Sequence, residues 1–370
     1  MIALVTALSC LPSSAYAQQL DPRFSATVDL PGYEFAMISA ALLQQGLLGR
    51  GCFQGNLDAR IRSYYPLDLQ FAEGRVWPVS GTWDAIIAYK RCGELFRTNI
   101  AVIAQPEGAP FLVTTVPGES EISYPLKQSL RDDVIAFASR IMHREDCEIA
   151  QITNSRITQG LSSLTGVSIP KGPVKHLTWT ESWTVRACGR ETDIHIDLTI
   201  DPDTDEITSD LRVNIDLSTG TVSREVAISH PIYIDDGQLQ ELFDTAVSGD
   251  HEQVQDARND LRYLANENIA EAQYLLASAL AKDPEHNRSF HLEGLYWAAR
   301  ATANGNAAAA RLAGWYMEMG PFKAPPDLRA AALMYQRSAA LGSADGTQDF
   351  ERVTSTYPWL APVLEDHPAF

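Results

Sequence analysis

The sequence predicts a multi-domain protein in which two tandem duplicated α+β modules, tied by disulfides, precede an all-α helical-repeat solenoid. Three observations predict it. Thr82-Trp83 and Cys92-Gly93 recur as Thr178-Trp179 and Cys188-Gly189, a constant shift of 96 positions. Cys52 and Cys147 stand at nearly the same shift, one residue shorter. From Gln238 onward an Ala-rich, strand-poor texture repeats at a shift of 37, carrying Ala270, Ala272 and Leu275 onto Ala307, Ala309 and Leu312.

Taken in order, residues 1–17 are an apolar stretch closing in Ala15-Tyr16-Ala17, the small-x-small pattern that signal peptidases cleave after. Cleavage leaves Gln18 first and predicts a periplasmic or secreted protein. No Lys or Arg precedes the apolar run, and Leu11-Pro12-Ser13-Ser14 breaks it far short of the roughly 20 residues of a membrane span. A lipoprotein anchored through Cys10 is the minor alternative, although Ala7-Leu8-Ser9-Cys10 lacks the large aliphatic residue usual at the third position before the cysteine. No later segment is long and apolar enough for a span, so none is expected.

Composition sets the class of partner. With 45% hydrophobic and 21% charged residues the chain reads as globular. Its net charge of -18 argues against nucleic acid and anionic lipid, which need a basic surface to neutralise phosphates.

Residues 18–120 and 121–235 are expected to be the two module copies. Each has a helix-like run, Phe35 to Leu48 and Asp132 to His143, with apolar residues three and four apart. Behind each Cys-Gly comes an alternating strand-like segment, Asn99 to Ala104 and Thr192 to Ile200. Cys52, Cys92, Cys147 and Cys188 allow three pairings, and the duplication favours Cys52 with Cys92 and Cys147 with Cys188. Closing a loop of about 40 residues contributes roughly 3–4 kcal/mol when unstrained. The absence of a Cys-x-x-Cys pair argues against zinc.

Residues 237–350 read as stacked helix pairs, in which no single repeat buries its own apolar face. Asp327 after Pro325-Pro326 is placed as an N-cap, and Gly305 and Gly342 as left-handed residues beyond helix ends. The stretch from Trp297 to Gly314 resembles the Sel-one-like repeat signature, in which an aromatic helix end, an Ala pair and a Gly lead into Ala-x-Ala and Leu-Gly. Met334 to Ala344 is similar to the same helix end in the next repeat. Leu276-Ala277 and Ala313-Gly314 stand where the signature has Leu-Gly. The resemblance covers residues 238–350 as two clear copies and a degenerate leading one around Leu239 to Ala265, leaving 351–370 as a C-terminal tail. It implies a right-handed superhelix whose concave face binds proteins or peptides, in adaptor and assembly roles that include bacterial envelope proteins. If first helices line that face here, Tyr274, Arg311 and Trp315 are the contact residues. The competing reading is that Tyr274 and Trp315 pack between helices.

Catalytic and metal motifs do not assemble at the level of sequence. Ser168-Ile169-Pro170-Lys171 has the Ser-x-x-Lys spacing of penicillin-recognising enzymes, but Pro170, Gly172 and Pro173 forbid the helical turn that the pair requires. Asp201, Asp203 and Asp205 have calcium-loop spacing, yet Glu206 stands where Gly is needed and Arg212 where a closing Glu would sit. His195 and Asp197 share one face of a strand, which suits a solvated polar side better than an acid-base pair. No cofactor and no metal are expected. The expected function is a periplasmic interaction or scaffold protein with a protein or peptide partner in the cell envelope. The alternative is an envelope hydrolase, or a protein binding a small ligand or glycan, with its site in the N-terminal modules.

Overall fold

A computed structural model describes residues 22–49, 59–91, 94–120, 122, 124–142, 151–159, 177–187, 190–200, 207–213, 236–283, 287–320 and 324–366. Residues 1–17, expected to be a signal peptide, with Cys10, the four remaining cysteines, Ser168 to Lys171 and the Asp201 to Glu206 stretch lie outside the described residues. An N-terminal sheet region is followed by a helical region of consecutively packed helices. The chain divides into two compact units, Arg23–Phe96 with Ile100–Thr114 and Ile228–Phe370 in one, and Arg97–Asn99 with Thr115–Ala227 in the other.

In the first of these, α1 (Pro22–Val28) and α2 (Pro31–Leu47) precede a sheet of order β1-β2-β3-β4, formed by Ala59–Gln70, Ser80–Arg91, Glu94–Ile103 and Phe111–Pro117. Pro31 opens α2, where its missing N–H costs nothing. Buried residues go all the way round α2, from Tyr33 through Met37, Ala41 and Leu42 to Gln45, and Glu34 is its exposed exception. Such a helix must be covered on every side. It packs against β2 and against a helix of the C-terminal region. On the sheet side, the Trp83 indole donates to Tyr33 Oη at 2.9 Å, with Phe24 edge-on to the same indole.

The helices of the C-terminal region are α4 (Asp236–Ser248), α5 (His251–Asn266), α6 (Ala270–Ala281), α7 (Arg288–Ala303), α8 (Ala307–Met319), α9 (Leu328–Ala340), α10 (Ala344–Thr356) and α11 (Leu360–Asp366). From α4 to α10 each packs on the next, and the alternate helices α4, α6, α8 and α10 also touch in turn. The starts at Ala270, Ala307 and Ala344 are 37 residues apart. The left-handed residues before them keep the same spacing, Asn268 (φ 65°), Gly305 (φ 87°) and Gly342 (φ 95°). Asn replaces Gly at the first of these because its short polar side chain tolerates that conformation. Asp327 caps α9 by accepting from the Ala330 N–H at 2.9 Å.

α7 is the helix that covers the second side of α2. Their backbones meet at Gly46, where a β-carbon would lie 2.6 Å from Ala299 Cβ and 2.7 Å from the Tyr296 carbonyl. The first sheet and the helical region therefore share one core, running from Trp83 and Ile87 through Leu42 and Trp297 to Tyr335. On α9, the fully buried Arg329 donates to the Leu112 carbonyl of β4 at 3.4 Å.

The other unit repeats the order of helix then four strands. Helix α3 (Tyr124–Met142) packs on a sheet of order β5-β6-β7-β8, formed by Gln151–Gln159, Leu177–Ala187, Arg190–Ile200 and Ile207–Val213. Alternation sorts β7 cleanly: Ile194, Ile196 and Leu198 are buried, whereas Asp193, His195 and Asp197 face the other side. Its core joins these to Trp179, Trp183, Leu130 and Val134. Gly118 (φ 102°) lets residues 117–119 press on β5, where Ser155 Oγ donates to the Pro117 carbonyl at 2.8 Å and Ser155 O accepts from the Glu119 N–H at 2.9 Å. Among the described residues no helix is long and apolar enough to cross a membrane.

Replacing Gly46 with Val inserts side-chain atoms into the α2–α7 crossing. The expected cost is about 1–3 kcal/mol of unfolding free energy, the usual range for overpacking. Chemical denaturation of the full chain checks it, and an unchanged midpoint would mean that the two helices separate more easily than the packing implies.

Candidate functional site

The residues nominated by the sequence fall on α6 and α8. Tyr274 lies on α6, half-buried against the core, and Arg311 takes the matching position 37 residues later on α8. Trp315 follows Arg311 by one turn and is 39% exposed, with its ring edge-on to Tyr316 at 5.3 Å. Arg311 and Trp315 thus share a helix face, and Tyr274 occupies the neighbouring helix.

One ionic network, bridged by Asp349, fastens α8 to α10. Arg311 donates through Nε to Asp349 Oδ2 and through Nη1 to Asp345 Oδ2, each at 2.7 Å. Arg352 grips Glu318 with both terminal nitrogens, at 2.6 and 2.7 Å, and Glu318 also accepts from Tyr335 Oη at 2.7 Å. The hydrogen bonds from Arg352 hold the Glu318 carboxyl below the usual range, and the bond to Asp349 holds Arg311 more firmly charged. An isolated exposed ion pair contributes only about 0–1 kcal/mol. Their structural effect here is to fix the side chains that flank Trp315.

Deeper in the array the charges turn inward. Arg258 is buried and donates to Asp283 Oδ2 at 2.7 Å, while Arg262 forms a fork with Glu293 at 2.6 and 3.0 Å. Glu293 also accepts from the Trp297 indole at 3.3 Å. His291 on α7 sits between Phe35 of α2 and Tyr316 of α8, and burial pushes its imidazole down to about 4. Burial pushes the Asp327 carboxyl up to about 6, against the lowering effect of its capping bond.

The second sheet holds a buried carboxylate that the sequence pattern did not single out. Glu181 on β6 is 0% exposed. Oε1 accepts from Ser120 Oγ at 3.2 Å and from the Trp179 indole at 3.3 Å, and Oε2 accepts from the Trp183 indole at 2.8 Å. The available signal was the Trp-x-Glu-x-Trp alternation, which puts all three on one strand face. At the matching positions of the first sheet stand Trp83, Ala85 and Ile87, so this cluster has no counterpart there. His195 and Asp197 lie on the opposite strand face, where Asp197 Oδ1 accepts from Thr180 Oγ1 at 2.7 Å and His195 stands in register with Ser182 and Arg212.

A surface depression of about 490 Å³ on α4 and the start of α5 is lined by Gln240, Glu241, Asp244 and Gln253. Its polar groups serve one another, Gln240 donating to Asp244 and Gln253 completing the cap at Asp250. Among the described residues no group of three or more His, Cys, Asp or Glu side chains is placed to hold a metal ion.

Fold and site together define a mixed protein, a sheet region leading into packed helices, with an exposed Trp315 on α8 beside ion-paired arginines. Comparison with protein-family models finds no match, and comparisons with curated proteins and with solved structures find none either.

Replacing Glu181 with Gln keeps one acceptor oxygen but turns an amide donor toward a neighbouring donor. A loss of about 1–3 kcal/mol is expected for the resulting unsatisfied group, read by denaturant unfolding followed by tryptophan fluorescence. Acid stability offers a second check. His291 is depressed, so its contribution is full above its unfolded value near 6.5 and is lost as pH falls toward 4, on the order of 3 kcal/mol. Asp327 is raised, so its effect has the opposite sign: folding is favoured as pH falls from about 6 toward 3.8. The unfolding free energy of His291→Gln should therefore fall less steeply with acid than that of the wild type, and that of Asp327→Asn more steeply. Parallel curves between pH 4 and 6.5 would contradict both assignments.

Proposed function

We propose that this chain is an exported, periplasmic interaction or scaffold protein whose helical array docks a protein or peptide partner of the cell envelope on its first-helix face. The observation that carries the reading is Trp315, a large aromatic left 39% exposed between Arg311 and Glu318, both ion-paired to α10. Surfaces used for association favour such aromatic and arginine side chains. Tyr274 and Arg311 complete the proposed face.

Residues 238–350, from α4 into α10, are proposed as Sel-one-like repeats. The 37-residue spacing of helix starts and of left-handed residues supports this, as does the touching of alternate helices. The two helix-then-four-strands segments are proposed as a duplication, each closed by a disulfide, Cys52 with Cys92 and Cys147 with Cys188. The common element order and the recurrence of Trp83 as Trp179, each buried on the second strand of its sheet, support it. Cleavage after Ala17, which places the protein in the periplasm, accords with that use of cysteine. The reading calls for no cofactor.

Capture from envelope extract on the tagged full chain tests it, with the Trp315→Glu variant as the comparator. Partners enriched by the wild type should be lost by the variant at equal folded concentration, and an identical set on both would refute the assignment of this face. Intact mass of the exported protein should begin at Gln18 and be lighter by the hydrogens that two disulfides remove. A mass that retains residues 1–17, or four free thiols, would remove the export and disulfide parts of the reading.

A further inference from the structure

Arg311, Trp315 and Glu318 follow one another along α8 at spacings of four and three, which places them on one stripe of the helix, and Met319 lies one turn beyond Trp315. Trp315 is 39% exposed and Met319 56% exposed. Both ends of the stripe are tied to α10, Arg311 to Asp345 and Asp349, and Glu318 to Arg352. Trp315 is thus bracketed by charged groups tied to α10, with Met319 beside it at the end of the helix, an apolar centre with a charged rim of the kind found at binding surfaces.

The sign of the rim selects the occupant. Three carboxylates face two guanidiniums, and each guanidinium is already engaged by two carboxylates. Asp345 is the most exposed of the group, its side chain 64% accessible. The wider surface has the same sign: residues 236–370 carry 19 Asp and Glu against 10 Lys and Arg, a balance of -9. A second copy of the chain would bring its own net charge of -18 to the contact. Resting on the reading of this face as the docking face, we propose that its partner is a cationic, apolar protein segment. An apolar side chain of the segment sits on Trp315 and Met319, and its lysines or arginines meet the rim at Asp345 and Glu318.

Fluorescence anisotropy with the full chain tests this, using three short labelled peptides of identical leucine spacing whose remaining positions are lysine, serine or glutamate. The lysine peptide should bind at least tenfold tighter than the glutamate peptide, and its affinity should fall with added salt because exposed charges are screened. Trp315→Ala should weaken it roughly tenfold or more, as loss of a central aromatic does. Met319→Ser should weaken it in the same direction, and Asp345→Asn should reduce the salt dependence. Circular dichroism melting of each variant establishes that the fold is kept. If Trp315→Ala leaves the lysine peptide unaffected, binding is diffuse attraction to an acidic chain and the proposal fails. Equal binding of the lysine and glutamate peptides, both lost in Trp315→Ala, overturns the partner chemistry while the docking face survives. Absence of binding by all three peptides overturns the proposal, and sedimentation then distinguishes a face covered by a second copy, through a dimer that Trp315→Ala dissolves.

Discussion

The crossing of α2 over α7 at Gly46 is the contact on which the larger unit depends. A helix buried round its whole circumference cannot remain at a surface, and α2 is covered by β2 on one side and α7 on the other. Only glycine at position 46 allows the backbones to come that close, because any β-carbon would collide with Ala299 and the Tyr296 carbonyl. The apolar area of α2 is thereby shared between two kinds of structure. A sheet that would otherwise need its own cover and a helical array of a few pairs become one core. Arg329, reaching from α9 to the Leu112 carbonyl, adds a polar tie within the same unit.

Charge is distributed over the array by depth. Arginines on the inner helices are paired at short range inside the fold, Arg258 with Asp283 and Arg262 with Glu293. Removing one member of such a pair strands the other in a medium that solvates it poorly, so these pairs fix how successive helices stack. Arg311 and Arg352 make comparable bonds at the surface, where water competes. There the same chemistry serves to hold a face in shape. The second sheet solves its polar problem differently, by giving one buried carboxylate, Glu181, to two indoles and a hydroxyl that can only be satisfied by an acceptor or use one readily.

Much of the architecture was legible because it rests on period. Alternation along Thr192 to Ile200 reports a strand with one buried face, and β7 is that strand. Spacings of three and four along Phe35 to Leu48 report a helix, and α2 runs from Pro31 to Leu47. Asp327, Gly305 and Gly342 were readable as caps and turns because local geometry selects those residue types. Of the surface, Arg311 and Trp315 were readable as one helix face from their spacing of four. Their partners on α10 were not, since Asp345 and Asp349 come to Arg311 only through helix packing. Glu181 was hidden for another reason: a lone acidic residue in an alternating strand looks solvated until the strand face it shares with Trp179 and Trp183 is known to be the inner one.

The sequence by itself determined the elements, their order, the 37-residue rhythm of the helices and the acidic balance of the chain, because each follows from local periodicity, capping or composition. Tertiary structure decided that the first sheet and the helical region share a core, that α2 and α7 cross closely at Gly46, and that the residues on either side of Trp315 are ion-paired to α10. Those facts depend on which surfaces meet across long stretches of chain. Complementarity of shape and charge between distant segments sets that, and it leaves no mark in the pattern of either segment alone.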